Sequence, residues 1–246
     1  LFRFYRPELF FGAVGGALAL LLVAPLADTA IWVPFAVAGA VTLVAVVAVR
    51  AVSNPHPPYV ATGVIQEDAP LLPGLLKQSA RIFDPRHGHV FYLLMAVFFC
   101  FFGYSALEAQ FSTFITEEFG LTGGRASQMM GATVVGFVLF ALPAGTMVKR
   151  LGEVNTMRLG TTSLAFWLGI ASFVTSPVWL TLLLILGGAS WAFVLVPAYP
   201  AVVNQGGEDE VGFYTGMYYL FGAVAAILAP AGVGWGHEPP RFLRPG

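Results

Sequence analysis

The sequence predicts an all-α, polytopic membrane protein, and three observations support this fold class. Hydrophobic residues make up 57% of the chain and charged residues only 10%, whereas soluble domains are about 25% charged. The apolar residues come in runs of roughly 17–27, long enough to cross a hydrocarbon core of about 30 Å as helices. Strand-length alternation is absent from the sequence, and helices satisfy their own backbone hydrogen bonds in lipid. An ordinary soluble domain is therefore excluded.

Each apolar run defines one predicted helix, and polar turns or loops with glycine and proline separate the runs. The turn Ala27–Thr29 makes the first two helices an antiparallel hairpin, and Ser176-Pro177 precedes the sixth helix. We therefore expect about seven transmembrane helices. Their predicted bounds are Leu9–Leu26, Ile31–Val49, Val90–Thr116, Ser127–Val148, Met157–Thr175, Val178–Val203 and Val211–Trp235.

The segment Ala51–His89 differs from the rest because prolines interrupt it and charges are scattered through it. Two interpretations are open: a plain linker, or a linker that contains a short amphipathic helix on the membrane surface. Either way, it is expected to separate a two-helix part at residues 1–50 from a five-helix part at residues 90–235. A short tail follows at residues 236–246.

Positive charge is concentrated on one side of the predicted helices. Because lysine and arginine are retained in the cytoplasm, this side is expected to be cytoplasmic, with the N-terminus of the chain there too. We expect an integral protein of the plasma (inner) membrane. The bases on the cytoplasmic side are Arg3, Arg6, Arg50, Lys77, Arg81, Arg86, Lys149, Arg150 and Arg158, and those on the other side are Arg125, Arg241 and Arg244.

The stretch GTMVKRLGEV, Gly145–Val154, combines positive charge with glycines between two predicted helices. It resembles the loop signature G-x-x-x-D-R-x-G-R-R of the major facilitator superfamily. Gly145, Arg150 and Gly152 match the signature. Lys149 stands in place of the acid, and Glu153-Val154 replaces the second basic pair.

Two longer segments extend the resemblance to one group of that superfamily. FFGYSALEAQFSTFITEEFGLTGGRASQ, Phe101–Gln128, is similar to the start of the second half of glycoside–cation and sucrose–proton symporters. VPAYPAVVNQGGEDEVGFYTGMYYLFGAVAAILAPAGVGW, Val196–Trp235, is similar to their tenth and eleventh helices. The resemblance implies helices five to eleven of a fold of about twelve, so helices or another chain are needed to complete the cavity.

The resemblance also implies how the Gly145–Val154 loop works. Gly145 and Gly152 would let the loop turn and neighbouring helices approach. Arg150 would pair with a helix C-terminus or a carboxylate and hold one conformation. Lys149 and Arg158 are counted as candidate residues of the same conformational latch. The alternative interpretation is that these bases only anchor the helix ends at the membrane surface.

Glu108 lies well inside the third apolar run, where a carboxylate costs several kcal/mol unless it is paired, hydrated or neutralised. Ser105 and Ser112 share its helix face, and Tyr104 is close by. We interpret these residues as candidates for binding a sugar hydroxyl or a coupling proton. The alternative is a carboxylate near the outer interface that is paired with a local hydroxyl.

A second candidate cluster consists of Tyr199, Asn204 and Gln205 with the stretch YTGMYY, Tyr214–Tyr219. Tyr218 belongs to this stretch, and aromatic rings with hydroxyls suit sugars. The alternative is an interfacial aromatic belt, which is the preferred interpretation for Tyr214. The pairs Gly12/Gly16 and Gly212/Gly216 have the G-x-x-x-G spacing that permits close helix crossing, and we interpret them as structural.

The function expected from these features is proton-coupled symport of a di- or oligosaccharide by alternating access. No catalytic constellation is visible, because the histidines fall in loops or the tail, so we expect no enzyme, cofactor, metal or nucleic-acid partner. The expected partners are the lipid bilayer, a sugar and a proton. The alternatives are a membrane-embedded enzyme, a seven-helix receptor, or a major facilitator exporter of non-sugar cargo.

Overall fold

A computed structural model of the chain describes residues 14–28, 30, 32–51, 88–207 and 210–234. All regular structure in these residues is helical, which confirms the predicted fold class. The first described helix, α1 (Val14–Val23), ends in a π-helical turn, Ala19–Val23, and a 3-10 helix, Ala24–Asp28, follows it. The α-helices are α1 (Val14–Val23), α2 (Val33–Ala51), α3 (Gly88–Phe119), α4 (Gly123–Leu151), α5 (Glu153–Ala171), α6 (Pro177–Val203) and α7 (Val211–Gly234).

The helix bounds follow from local chemistry at each end. Thr122 is the N-cap of α4, and its hydroxyl accepts a hydrogen bond from the backbone N–H of Arg125. Gly152 separates α4 from α5 with a φ of 81°, a left-handed conformation that favours glycine. Pro177 begins α6 at the position where its missing N–H costs nothing. The loop glycine that the sequence highlighted is therefore used for a sharp turn.

Four of the described helices, α3, α4, α6 and α7, are long and apolar enough to cross a bilayer. Each begins and ends within a few residues of its predicted span. The predicted linker Ala51–His89 lies outside the described residues, except for Ala51, which ends α2, and Gly88 and His89, which begin α3. The tail at residues 236–246 also lies outside them.

The closest helix crossings are made by glycines on α4, α5 and α6. A Cβ atom on Gly136 of α4 would overlap the carbonyl oxygen of Ile185, and one on Gly188 of α6 would overlap the carbonyl oxygen of Thr133. A Cβ on Gly160 of α5 would lie 2.8 Å from the backbone of Phe193. These small residues let the backbones of α4 and α5 approach α6 directly.

The glycine pairs singled out by their spacing do not make such crossings. Cβ atoms added to Gly16, Gly212 and Gly216 would meet no atom within 4 Å among the described residues, and Gly12 lies outside them. Among the described residues, therefore, no helix crosses closely at these three glycines. The spacing shows that small residues share one face of a helix. It does not show whether a neighbouring helix packs against that face.

The core runs along the helix axes as three clusters of buried residues. One lies where α3, α6 and α7 meet at the Glu153 end of the bundle, and a second lies at mid-bundle between α4 and α6. The third joins α3, α4 and α6 near the Thr122 end. Tyr214, the expected belt residue, is only 8% exposed and belongs to the first cluster. Its ring therefore faces other helices.

Candidate functional site

Six aromatic residues on α3, α6 and α7 are in continuous ring contact. We call them the aromatic cluster, and they include three residues that the sequence marked as candidates, Tyr104, Tyr199 and Tyr218. Helix packing has thus brought together side chains that are more than 100 residues apart in the chain. The cluster consists of Phe101, Tyr104, Trp191, Tyr199, Tyr218 and Tyr219.

The centre of the cluster is a stacked pair at mid-bundle. The rings of Tyr104 and Trp191 have centroids 4.9 Å apart and planes 11° apart. Phe101 meets Trp191 edge-on, with centroids 5.7 Å apart. Trp191 is buried and Tyr104 is half-buried. Trp191 therefore covers one face of the Tyr104 ring, and Tyr104 is the member of the pair that solvent can reach.

The cluster continues toward the Glu153 end through three tyrosines. Tyr199 and Tyr218 meet at 89° with centroids 5.5 Å apart, and Tyr219 contacts both rings. The Tyr199 hydroxyl and the Thr215 hydroxyl are 3.0 Å apart and share a hydrogen bond. This part of the cluster therefore presents mainly ring surface, with hydroxyl groups at its edge.

Glu108 follows Tyr104 by one helical turn on α3, and Ser112 follows Glu108 by another. Glu108 and Ser112 are exposed in this structure, whereas Ser105 is half-buried. None of the described residues donates a hydrogen bond to the Glu108 carboxylate. Tyr104, Glu108 and Ser112 therefore form one stripe, with a carboxylate next to the accessible ring of the stacked pair.

Asn204 lies apart from the aromatic cluster, at the C-cap of α6. Its side-chain amide donates a 2.7 Å hydrogen bond to Oε1 of Glu153, the first residue of α5. This bond joins the α4–α5 turn to the end of α6. Burial raises the pKa of the Glu153 carboxyl above its ordinary value, and the Asn204 hydrogen bond offsets part of that rise.

The other loop residues are placed as follows. Lys149 and Arg150 occupy the last turn of α4, where positive charge is favourable near the helix C-terminus, and both are exposed. Arg158 donates a 3.3 Å hydrogen bond to Asn155 of the same helix. Gly145 lies within α4, and a Cβ there would meet nothing within 4 Å. No carboxylate in the described part of the chain pairs with Arg150.

The sequence did not reveal two contacts between elements. In the sequence, Glu153 is only a departure from the loop signature, yet its carboxylate makes the contact with α6. Asp28 is predicted only as part of a polar turn, yet it binds the start of α4 through Thr122 and Gly124. A polar residue at a helix end is a weak signal for a partner that lies about 50 to 100 residues away in the chain.

A cavity of about 440 Å³ lies between α5 and α6, away from the aromatic cluster. Its lining is almost entirely apolar, so it offers little to orient a polar cargo. Within the described residues, no group of three or more His, Cys, Asp or Glu side chains could hold a metal ion. The cavity is lined by Ile170, Val174, Trp179, Leu182, Leu183, Ile185 and Leu186.

Comparison with known proteins supports the membrane-transporter interpretation of this architecture. The chain is 30% identical over 149 residues to Multidrug resistance protein 2 of Bacillus subtilis (strain 168), an alignment that covers 59% of this chain and 36% of that protein. No solved structure gives a significant match. The sequence profile of the Major Facilitator Superfamily matches residues 9–230. The chain therefore belongs to the major facilitator superfamily, a family of membrane transporters.

Proposed function

We propose that the chain is part of a secondary transporter that exports amphipathic aromatic cations and is coupled to protons through Glu108. The observation that carries the proposal is the stacked pair of Tyr104 and Trp191 at mid-bundle, with Glu108 one helical turn away. The intact protein would lie in the plasma (inner) membrane, with the α4–α5 turn in the cytoplasm, as the positive charge there favours.

The chemistry of the pair suits a flat organic cation. One face of Tyr104 rests on Trp191, and the other face could receive an aromatic ring or a cationic group. A cation over an aromatic face gains about 2 kcal/mol when both are desolvated. A carboxylate at Glu108 would balance the positive charge of the cargo in a medium where an unbalanced charge is costly.

The name of the bacterial relative supports a cargo other than a sugar. That protein is called Multidrug resistance protein 2, and the match covers about a third of its length. Ring stacking has little directional preference, so an aromatic surface accepts many flat molecules of different outline. Broad selectivity of this kind fits the aromatic cluster better than selection of one hydrogen-bonding pattern does.

Sugar–proton symport is the second candidate, and the hydroxyls of Tyr104, Tyr199 and Tyr218 favour it. The similarity of Phe101–Gln128 and Val196–Trp235 to sugar symporters supports the same idea. A buried sugar, however, needs a partner for most of its hydroxyls, since each unpaired one is costly. The described cluster is rich in ring surface and poor in amides and charged donors, so we rank this candidate second.

In the proposed mechanism, residues 1–50 and 90–235 belong to two bundles that rock about a cargo site between them. Glu108 would carry a proton in one conformation and release it in the other. Cargo and proton would compete for the same carboxylate, because a protonated Glu108 no longer balances a cationic cargo. Competition of this kind would couple export of the cation to entry of the proton.

The test uses the intact protein as its source produces it, reconstituted in vesicles with an imposed pH gradient. Ethidium, a flat aromatic cation, and a labelled disaccharide are offered in parallel. Ethidium movement against its gradient that collapses with the pH gradient would support the proposal. Movement of the disaccharide alone would reject it in favour of the second candidate, and movement of neither would reject both.

A further inference from the structure

The segment before α2, residues 14–28, packs against one face of α4. Gly124, Gln128 and Gly131 are spaced i, i+4 and i+7 and so share a face of that helix. The amide of Gln128 reaches the carbonyl oxygen of Leu21 at 3.5 Å. A Cβ added to Gly131 would lie 2.8 Å from the side chain of Leu21. The glycines thus make room for the segment along more than one turn of α4.

Asp28, the last residue of the 3-10 helix, extends this contact to the start of α4. Its Oδ1 accepts a 3.1 Å hydrogen bond from the backbone N–H of Gly124, and its Oδ2 accepts a 2.7 Å bond from the Thr122 hydroxyl. Thr122 also accepts from the N–H of Arg125. Asp28 and Thr122 therefore each accept a hydrogen bond from one N–H group in the first turn of α4, where the N–H groups have no partner within the helix. The Asp28 carboxylate also lies at the positive end of the helix dipole.

Gly124 is essential to this geometry, and its neighbour Gly123 is not. A Cβ on Gly124 would overlap the Asp28 carboxylate, whereas a Cβ on Gly123 would meet only the Ser112 hydroxyl, at 4.0 Å. Any side chain at position 124 therefore displaces Asp28. The two adjacent glycines provide a matched pair for testing the contact.

The contact has the properties of one that can open and close. Asp28 and Thr122 are both exposed, so water can replace their hydrogen bonds when they part. Among the described residues, the segment meets the later helices chiefly through α4. The crossing of α4 with α6 is different, because backbone touches backbone at Gly136 and Gly188 and leaves no room for water.

We propose that Asp28, Thr122 and Gly124 form a gate contact between the two bundles, closed in this structure and broken when that end of the transporter opens. The inference rests on the proposed function, in which residues 1–50 and α4 belong to bundles that rock against each other. In the closed state, the hydrogen bonds of Asp28 hold this end of the transporter shut. When they break, the start of α4 becomes accessible to water.

The first experiment links the two sides of the gate in the intact protein. Asp28→Cys and Thr122→Cys are combined in a Cys100→Ser background, oxidised and scored by mass for the disulfide. Ethidium movement should fall about tenfold on oxidation and return on reduction. A second pair, Leu21→Cys with Gln128→Cys, covers the case in which the first double variant does not fold. Oxidation of either single-cysteine parent should have no effect.

Two results would overturn the gate. Disulfide-linked protein that still moves ethidium at the full rate would mean that the contact never opens. Absence of any disulfide in both pairs would mean that the contact is not formed in the membrane.

A second measurement tests the gate contact independently of the cargo. Thr122→Cys is labelled with a charged maleimide in the presence of either Gly124→Ala or Gly123→Ala. Labelling should be several-fold faster with Gly124→Ala only, since only that change displaces Asp28. Equal labelling would reject the contact whatever the cargo. Unequal labelling in a protein that carries no ethidium would instead leave the contact standing and reject the proposed cargo.

Discussion

The ring of Tyr104 on α3 stacks on that of Trp191 on α6, with centroids 4.9 Å and planes 11° apart. Both residues lie near the middle of long apolar helices, at the depth where an alternating-access transporter binds its cargo. The pair lies between two core clusters that also join α3 to α6. We therefore expect it to contribute to cargo binding as well as to packing.

Tyr104→Ala removes the accessible ring of the pair, whereas Tyr104→Phe keeps it. Because an aromatic pair contributes about 0.5–1.5 kcal/mol, the alanine variant should bind ethidium roughly 2- to 13-fold more weakly, and the phenylalanine variant should bind nearly normally. Tyr92→Ala, at a 73% exposed position on the same helix, is the matched control. Fluorescence titration measures all three affinities, and equal losses at Tyr92 and Tyr104 would contradict a role in cargo binding.

Glu108→Gln keeps the size of the side chain and removes its charge and its titration. Transport of ethidium by this variant should no longer respond to an imposed pH gradient, because no carboxylate exchanges a proton for the cargo. Glu117→Gln, nine residues further along α3 and also exposed, is the control and should keep the response. A Glu108→Gln protein with an unchanged gradient response would remove the coupling role from this residue.

Gly188→Ala should destabilise the protein strongly, because its Cβ would overlap the backbone carbonyl of Thr133. Overpacking of this kind typically costs about 1–3 kcal/mol, and more where backbone must move. Gly187→Ala is the control, since its Cβ would make an ordinary 3.8 Å contact with Leu164. Thermal unfolding in detergent compares the two variants, and similar melting temperatures would show that α4 and α6 are not so closely packed.

Thr133→Val tests a buried hydroxyl beside the same crossing. The Thr133 Oγ1 atom is shielded from solvent and has no hydrogen-bond partner among the described residues. An unsatisfied buried group costs about 1–3 kcal/mol, so an isosteric valine should raise the melting temperature or leave it unchanged. Marked destabilisation by valine would indicate that the hydroxyl has a partner in the intact protein.

The bond between Glu153 and Asn204 should be measurable in a double-mutant cycle. Glu153→Ala, Asn204→Ala and the double variant should give a coupling free energy of about 1 kcal/mol or less, since Asn204 is exposed and Glu153 is only half-buried. Additive effects in thermal unfolding would mean that the turn and α6 are not linked through these two side chains.

The same carboxylate predicts a pH dependence. Because burial raises the pKa of Glu153 in the folded state, the folded protein binds more protons than the unfolded chain does between the ordinary and the raised pKa. Stability should therefore fall as pH rises through that window. Glu153→Gln, which does not titrate, should lack this component, and the difference between the two unfolding profiles measures it.

Local sequence was sufficient to predict the membrane class, the all-helical fold and the approximate bounds of the helices. These properties depend on local composition and on the length of apolar runs, which the bilayer thickness translates directly into helices. The loop signature at Gly145–Val154 was also visible, since a left-handed turn such as the one at Gly152 favours glycine wherever the helices pack.

The three-dimensional packing, by contrast, sets which helix faces meet. It placed the close crossings at Gly136, Gly188 and Gly160 and left Gly212 and Gly216 open. Contacts such as Asp28 with Gly124 and Glu153 with Asn204 likewise join residues about 50 to 100 positions apart. Helical spacing defines the residues that share one face of a helix. The helix that covers that face is decided by the packing of the whole bundle, because many apolar faces compete for the same neighbours.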